Sequence, residues 1–395
     1  MRLRVINFLK AHPFFVNTAW ACARLALTVW GWFLPVQEKT MLFASYGGRK
    51  FDDSPKAIYD EICRRPEFAD WKLIWAFVEP EKQEIPRGEK IKIDTPAFFR
   101  ALLTSRVWVS NSGMDRGIEL KRKGVVKVET WHGTPLKKIG GEEHANAIGG
   151  KNAGKPKGRP DGETIRCAQS AFDREIFQRI FYAEQTAFLL CDLPRNDALT
   201  QYTEAEIAES RKRLNIPEGK KVLLYMPTYR EYLVNGQGET CLAPPMDLEK
   251  WAERLGDRYV LLVRAHYAVS AALGLRENAF VRDVSAYPAI NDLYLAADGL
   301  ISDYSSAFFD YGILERPMFC FAYDLEEYEE KRGLYLKLEE ALPCPVDQTE
   351  ETLLERLDRW EYDGTRLHAF RMRFVPYAGH ASKAVAEKLK ERLRQ

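Results

Sequence analysis

The 395-residue chain has little that would hold a metal or a redox centre. Its seven cysteines (22, 63, 167, 191, 241, 320, 344) are scattered, odd in number and without a C-x-x-C pair, which excludes a zinc ribbon and a disulfide framework. H-E-x-x-H and D-x-D are missing, so no metal site and no cofactor is expected. No G-x-G-x-x-G follows a strand, so the dinucleotide fingerprint is unsupported. Charge of one sign is also missing: Lys plus Arg is 58, Asp plus Glu is 57, and no general affinity for nucleic acid follows. Gly149 to Lys155 matches G-x-x-x-x-G-K, but Pro156 replaces the Ser or Thr that a magnesium ion needs, and no apolar strand leads into it. The unpaired cysteines fit a reducing, cytoplasmic compartment.

What is present begins at the N-terminus. FFVNTAWACARLALTVWGWFL (14–34) lies between Pro13 and Pro35, behind Arg2, Arg4 and Lys10. Twenty-one mainly apolar residues are long enough to span a bilayer. Yet Asn17, Arg24 and Thr28 fall on one helical face, and Trp20, Trp30 and Trp32 favour the headgroup region. The expectation is an amphipathic helix (residues 1–38 with its flanks) on the inner membrane surface; a true span and a helix packed on the protein are the alternatives.

Beyond Pro35 the pattern is α/β. TMLFASY (40–46), KLIWAFV (72–78), RVWVSNS (106–112) and VVKVETW (125–131) read as buried strands, with helical stretches at 54–65 and 96–105 between them. KVLLYMPTY (221–229), RYVLLVRAH (258–266), DGLISDYSS (298–306) and PMFCFAY (317–323) form a second series. Strands alternating with helices imply parallel sheets. The polar segment 203–221 reads as the joint, giving units at 39–202 and 203–395, the latter ending in an amphipathic helical tail. From Lys137 to Pro160 six glycines and six basic residues read as a mobile loop, either a solvated surface or a flap over an anion.

Polar residues gather where strands end. WHGTPLKK (131–138) puts His132 beside Gly133, Thr134, Lys137 and Lys138. ISDYSSAFFDYG (301–312) follows a strand with Asp303, Ser305 and Ser306 at a helix start, a geometry suited to phosphate, and carries Asp310. Arg264 and His266 end another strand on one face and suit a pyrophosphate. Asn291 and Asp292 read as helix caps and as ribose or base contacts; Arg195 and Asn196 of LPRND face the expected cleft, and MPTYR closes a strand with Thr228 and Arg230.

Together WHGTP, PRND, PTYR, the R-x-H at 264–266, NDLYLAADGLISDYSSAFFDYGILERP and FAYDLEEYEEKRGLY (321–335) resemble the CDP-glycerol glycerophosphotransferases of teichoic acid synthesis, over about Ser45 to Ser382. The resemblance implies a GT-B fold, two Rossmann-like domains facing across a cleft, CDP-glycerol bound mainly by the second, and a membrane-bound acceptor on a polyprenyl diphosphate. The expected reaction is attack of an acceptor hydroxyl on the glycerol-bearing phosphorus, with CMP leaving. His132 is the expected base. His266 and Arg264 are expected to stabilise the departing diphosphate, Ser305 and Ser306 to hold phosphate oxygens, and Lys137 and Lys138 to steer the acceptor. A chain consumed by an anchor and two domains favours the priming enzyme, which adds one glycerol phosphate to a lipid-linked disaccharide. A polymerase of glycerol or ribitol phosphate, a nucleotide-sugar glycosyltransferase and a non-catalytic nucleotide-binding protein are the alternatives. Peripheral attachment to the cytoplasmic face of the cell membrane is expected, and homo-oligomerisation is left open.

Overall fold

The computed structural model describes residues 13–115, 118, 120, 122–143, 164–181, 187–230, 245–265 and 275–395. Two parallel sheets carry the architecture. The first contains β1 (Gln37–Ala44), β2 (Lys72–Phe77), β3 (Glu89–Lys92), β4 (Ser105–Ser110), β5 (Val126–Glu129), β6 (Thr164–Ala168) and β7 (Ala187–Leu190), in the order β3-β2-β1-β4-β5-β6-β7. The second contains β8 (Lys221–Met226), β9 (Tyr259–Val263), β10 (Val281–Asp283), β11 (Gly299–Ser302), β12 (Met318–Phe321) and β13 (Val346–Asp347), in the order β10-β9-β8-β11-β12-β13. In both, strand order reverses beside the first strand, between β1 and β4 and between β8 and β11. Such reversals open a crevice at the carboxyl ends of the strands.

The central strands are buried on both faces, as β9 with all five residues buried illustrates, which is why they read as continuous apolar runs rather than alternating ones. Five short strands, β3, β6, β7, β10 and β13, were not among the expected ones. Four of them, β3, β7, β10 and β13, are edge strands of two to four residues, too brief for a pattern to register.

The first sheet is covered on one side by the helix Asp53–Arg64, through Ile58, Tyr59 and Ile62. Beside it packs the last helix, Ala381–Leu393, through Ala381, Val385, Ala386 and Leu389. The final helix of the expected second unit, 203–395, thus packs on the first sheet. Asp197 holds the crossing in place by accepting from the Ala381 and Ser382 N–H groups at 2.7 and 2.8 Å.

The other side of the first sheet is covered by the helices Pro96–Thr104 and Pro13–Trp32. Leu27 of the N-terminal helix is buried there, and Arg24 Nε donates to the Ile118 carbonyl at 2.7 Å. Its opposite face leaves Leu25, Trp32 and Phe33 65–78% exposed. Among the described residues no helix is long and apolar enough to cross a membrane.

Candidate active site

The crevices of the two sheets meet around one turn. At the end of β4, Asn111 is fully buried and serves four neighbours. Its side chain accepts from the Tyr46 N–H at 2.8 Å and donates to Ser45 Oγ at 3.3 Å and Asp53 Oδ1 at 3.0 Å. Its carbonyl meets His132 Nδ1 at 2.9 Å. A carbonyl only accepts, so Nδ1 carries the proton and Nε2 presents a lone pair. Nε2 has no hydrogen-bond partner among the described residues. Trp131 stacks on the imidazole at 4.3 Å between ring centres, and Tyr46 lies 5.8 Å away. Burial lowers the imidazole pKa below 6.5; the Asn111 carbonyl and Asp53 oppose that shift and Arg195 adds to it. The ring is therefore neutral at pH 7.

The backbone around the histidine is strained. Tyr46, Asp53 and Trp131 hold φ of +48°, +64° and +58°, a region that non-glycine residues rarely occupy. Strain of this kind persists where surrounding contacts over-determine it, commonly at functional sites. Gly133 follows with no side chain, and a Cβ there would stand 2.7 Å from Ser306 Oγ and 2.9 Å from Ser306 Cβ. The histidine turn of the first sheet thus rests on the helix start of the second.

Arg195 occupies the junction. Its Nη1 bonds Asp53 Oδ2 and its Nη2 bonds Asp310 Oδ2, both at 2.7 Å, and each nitrogen also lies 3.2 Å from the His132 carbonyl. Burial disfavours the Asp53 charge, but Arg195, the Ser54 N–H, Tyr46 and Asn111 outweigh it and hold the carboxyl below its usual range. Asn196 donates to Asp310 Oδ1 at 2.8 Å, and Asn291 Nδ2 donates to the Arg195 carbonyl at 2.6 Å. Further along, Lys138 N–H donates to the Gly333 carbonyl at 3.0 Å and Tyr335 N–H to the Leu136 carbonyl at 2.9 Å, while Lys137 bridges Leu334. The segment after His132 is strapped to the second sheet's side of the molecule.

A family model described as CDP-Glycerol:Poly(glycerophosphate) glycerophosphotransferase matches residues 27–391. The chain belongs to this family. It is 36% identical to a teichoic acid poly(glycerol phosphate) polymerase of Staphylococcus epidermidis, over 79% of this chain and 44% of the relative. It is 33% identical to a teichoic acid glycerol-phosphate transferase of Staphylococcus aureus, over 80% of this chain and 82% of the relative. The chain therefore spans under half the length of the first and most of the second. Its fold matches the solved structure of the wall teichoic acid polymerase TagF with a TM-score of 0.80 and 32% identity, over 91% of this chain and 90% of that one.

Within this glycerophosphotransferase-family fold, several expected ligand residues have other partners. Thr134 is buried, with Oγ1 2.6 Å from Gln169 Oε1 and 3.1 Å from Asp173 Oδ2. A hydroxyl has one proton, and the amide oxygen must receive it, so the second contact needs a proton on Asp173. Burial raises the Asp173 pKa to about 8, with the neighbouring Asp192 adding to it. Arg230 is also engaged within the second lobe. It bonds Asp303 at 2.8 Å and Asp324 through two bonds of 2.7 Å, and lies against the rings of Tyr304, Tyr323 and Tyr328. Asp303 is consumed by Arg230 and the N–H groups of Thr228 and Tyr304. Asp292 faces Tyr287 and Arg213. Asn291 and Asp292 lie inside the first turn of the helix Ile290–Ala296, so neither is its cap. Asn196 and Asp310 join the lobes and are buried.

Others remain at the crevice. Arg264 donates to the Tyr287 carbonyl at 2.6 Å, and burial lowers its pKa, with Tyr294, Asp52 and Tyr46 opposing. Ser305 Oγ accepts from the Ala307 N–H, whereas Ser306 makes no capping bond. Thr228 Oγ1 and Asn291 Oδ1 are buried without a hydrogen-bond partner. His266 lies outside the described residues, as does the glycine-rich loop beyond residue 143. The sequence reading missed Tyr46, Asp53 and Asn111. The signal was YGGRKFDDSP (46–55), where a strand ends in glycines and an acid opens a helix.

Proposed function

We propose that this chain transfers glycerol phosphate from CDP-glycerol to a hydroxyl of a polyprenyl-diphosphate-linked acceptor, releasing CMP. The observation that carries the reading is the His132 turn: a neutral imidazole, its Nδ1 committed to the Asn111 carbonyl, on a turn whose Gly133 abuts Ser306 of the second lobe. The acceptor oxygen attacks the glycerol-bearing phosphorus while Nε2 takes its proton. The bond from that phosphorus to the CMP oxygen breaks, and its electron pair leaves with CMP. Arg264 supplies positive charge, and Ser305, Ser306, Thr228 and Asn291 supply hydrogen-bonding groups for the donor. The family description and a TagF histidine-to-asparagine variant solved after a CDPG soak support this donor class. The two sheets are read as the facing domains of a GT-B enzyme.

Single addition to a disaccharide and repeated addition to a growing polymer use the same chemistry. Polymerases, a glycerol-phosphate transferase and primases all stand among the relatives, which supports the shared chemistry. Weighing the products made from CDP-glycerol and the lipid-linked disaccharide separates them: one added unit or a ladder. In the same assay His132→Ala should slow CMP release on the order of 10²–10⁴-fold. A loss under tenfold in a folded variant removes the base assignment.

Peripheral attachment at the cytoplasmic membrane face is read from the outward side of the helix Pro13–Trp32. Its inward side is occupied by protein, leaving Trp20, Leu25, Val29, Trp32 and Phe33 for the acyl boundary.

A further inference from the structure

We propose that Arg195 is a positioning residue, which holds the His132 base in register with the donor lobe by gripping the His132 carbonyl and Asp310 at once. The inference rests on the proposed role of His132 as base. Four acceptor contacts converge on two nitrogens of one planar group. Asp53 stands at the start of the helix Asp53–Arg64, and Asp310 in the helix Ala307–Gly312 that begins beside Ser306. The His132 carbonyl lies between them. Arg195 leaves 9% of its side chain exposed, and each of the two carboxylates 5%, so these bonds are screened much less than surface ones. Asn196 repeats the tie to Asp310, and Asn291 holds the Arg195 backbone from the second lobe.

A triad that only stiffened the molecule would have no reason to take the carbonyl of the base. Here the base residue's own carbonyl is the third partner, so moving the guanidinium moves the imidazole. A lysine keeps the charge but presents one point donor, which cannot face both carboxylates and the carbonyl in a plane. A misplacement of about 1 Å at a reacting group can cost roughly 10²-fold in rate.

The charges give a second readout. His132 is faced by Asp53 on the first lobe's helix, Arg195 on the connecting segment, and Tyr46 and Trp131 beside it, while the uncharged Ser306 of the second lobe abuts the neighbouring Gly133. Asp53 favours its protonated form and Arg195 disfavours it. Arg195→Met should therefore move the acidic limb of kcat/KM to higher pH, and Asp53→Asn should move it lower.

The experiment measures CMP release by the full chain with CDP-glycerol and the lipid-linked disaccharide, across pH. Arg195→Lys should lower kcat about 10- to 100-fold while KM for CDP-glycerol stays within about threefold. Wild-type kcat in Arg195→Lys, or pH limbs in Arg195→Met and Asp53→Asn that do not move in opposite directions, overturns the proposal. Should Arg195 variants fail to fold, Asp310→Asn decides: it keeps the volume and one bond, and its kcat should fall with KM held. An Asp310→Asn enzyme with full kcat sinks the idea. Loss of the base assignment itself is separate, since it would appear as near-normal rates in His132→Ala.

Discussion

Replacing Gly133 with alanine adds one carbon at the point where the histidine turn touches the second lobe. That carbon would lie 2.7 Å from Ser306 Oγ and 2.9 Å from Ser306 Cβ. Carbon atoms in contact sit about 3.5–4.0 Å apart, so the surfaces must part by roughly 0.6–0.8 Å or more. The hydroxyl can rotate aside, but the Ser306 Cβ moves only with its backbone, at the start of a buried helix. Overpacking of this kind costs about 1–3 kcal/mol. If the lobes absorb the shift, His132 leaves its attack position, and kcat should fall roughly 10- to 100-fold. Steady-state CMP release and thermal unfolding report the two effects. Ser306→Ala in the Gly133→Ala background leaves the Ser306 Cβ at 2.9 Å in place and should restore little. Ser306→Gly removes both clashing atoms and should restore more, although alone it weakens donor binding. The coupling in that double-mutant cycle should be about 0.5–3 kcal/mol. A fully active Gly133→Ala enzyme, or strict additivity with Ser306→Gly, would show that the two lobes do not meet through this contact.

Arg230→Met strands the Asp303 and Asp324 carboxylates in the core, so urea unfolding should show about 3–5 kcal/mol of destabilisation, and Arg230→Lys should recover little of it. Unchanged stability in Arg230→Met refutes the pillar role. Asp173 holds its proton in the native state up to about pH 8, against 3.8 for the ordinary carboxyl. Between those values the native state binds the extra proton, so this group's stabilisation is lost as pH rises; Asp173→Asn should flatten the fall in urea midpoint from pH 6 to 9. The same slope in wild type and variant counts against a protonated Asp173. Trp32→Glu with Phe33→Glu should reduce flotation with anionic lipid vesicles several-fold without changing the thermal midpoint, because both side chains are mostly exposed. Equal flotation moves the membrane contact elsewhere.

The α/β class was legible because each central strand is a continuous apolar run with a polar turn behind it. The histidine turn was legible for the same reason: Trp131, Gly133 and Pro135 mark a sharp stop after β5. Local pattern was less informative about what each polar side chain meets. Thr134 and Arg230 stand in motifs that look ligand-facing, yet Thr134 bonds residues 35 and 39 positions away and Arg230 residues 73 and 94 away. Asp53 looked like part of an ordinary helix start until Arg195, 142 residues on, was found beside it.

By itself the sequence determined where strands stop and which chemistry-bearing residues stand at those stops, because steric preference and apolar periodicity act over a few neighbours. Tertiary structure alone decided which of them stay available. Burial makes an unpaired charge so costly that Arg195, Arg230 and their carboxylates must find each other across the chain, and the apolar stripe of the last helix is satisfied by whichever sheet face is uncovered. Hence the histidine turn could be read from its letters, while the buried guanidinium that secures it to the opposite lobe emerged only once the two sheets were brought together.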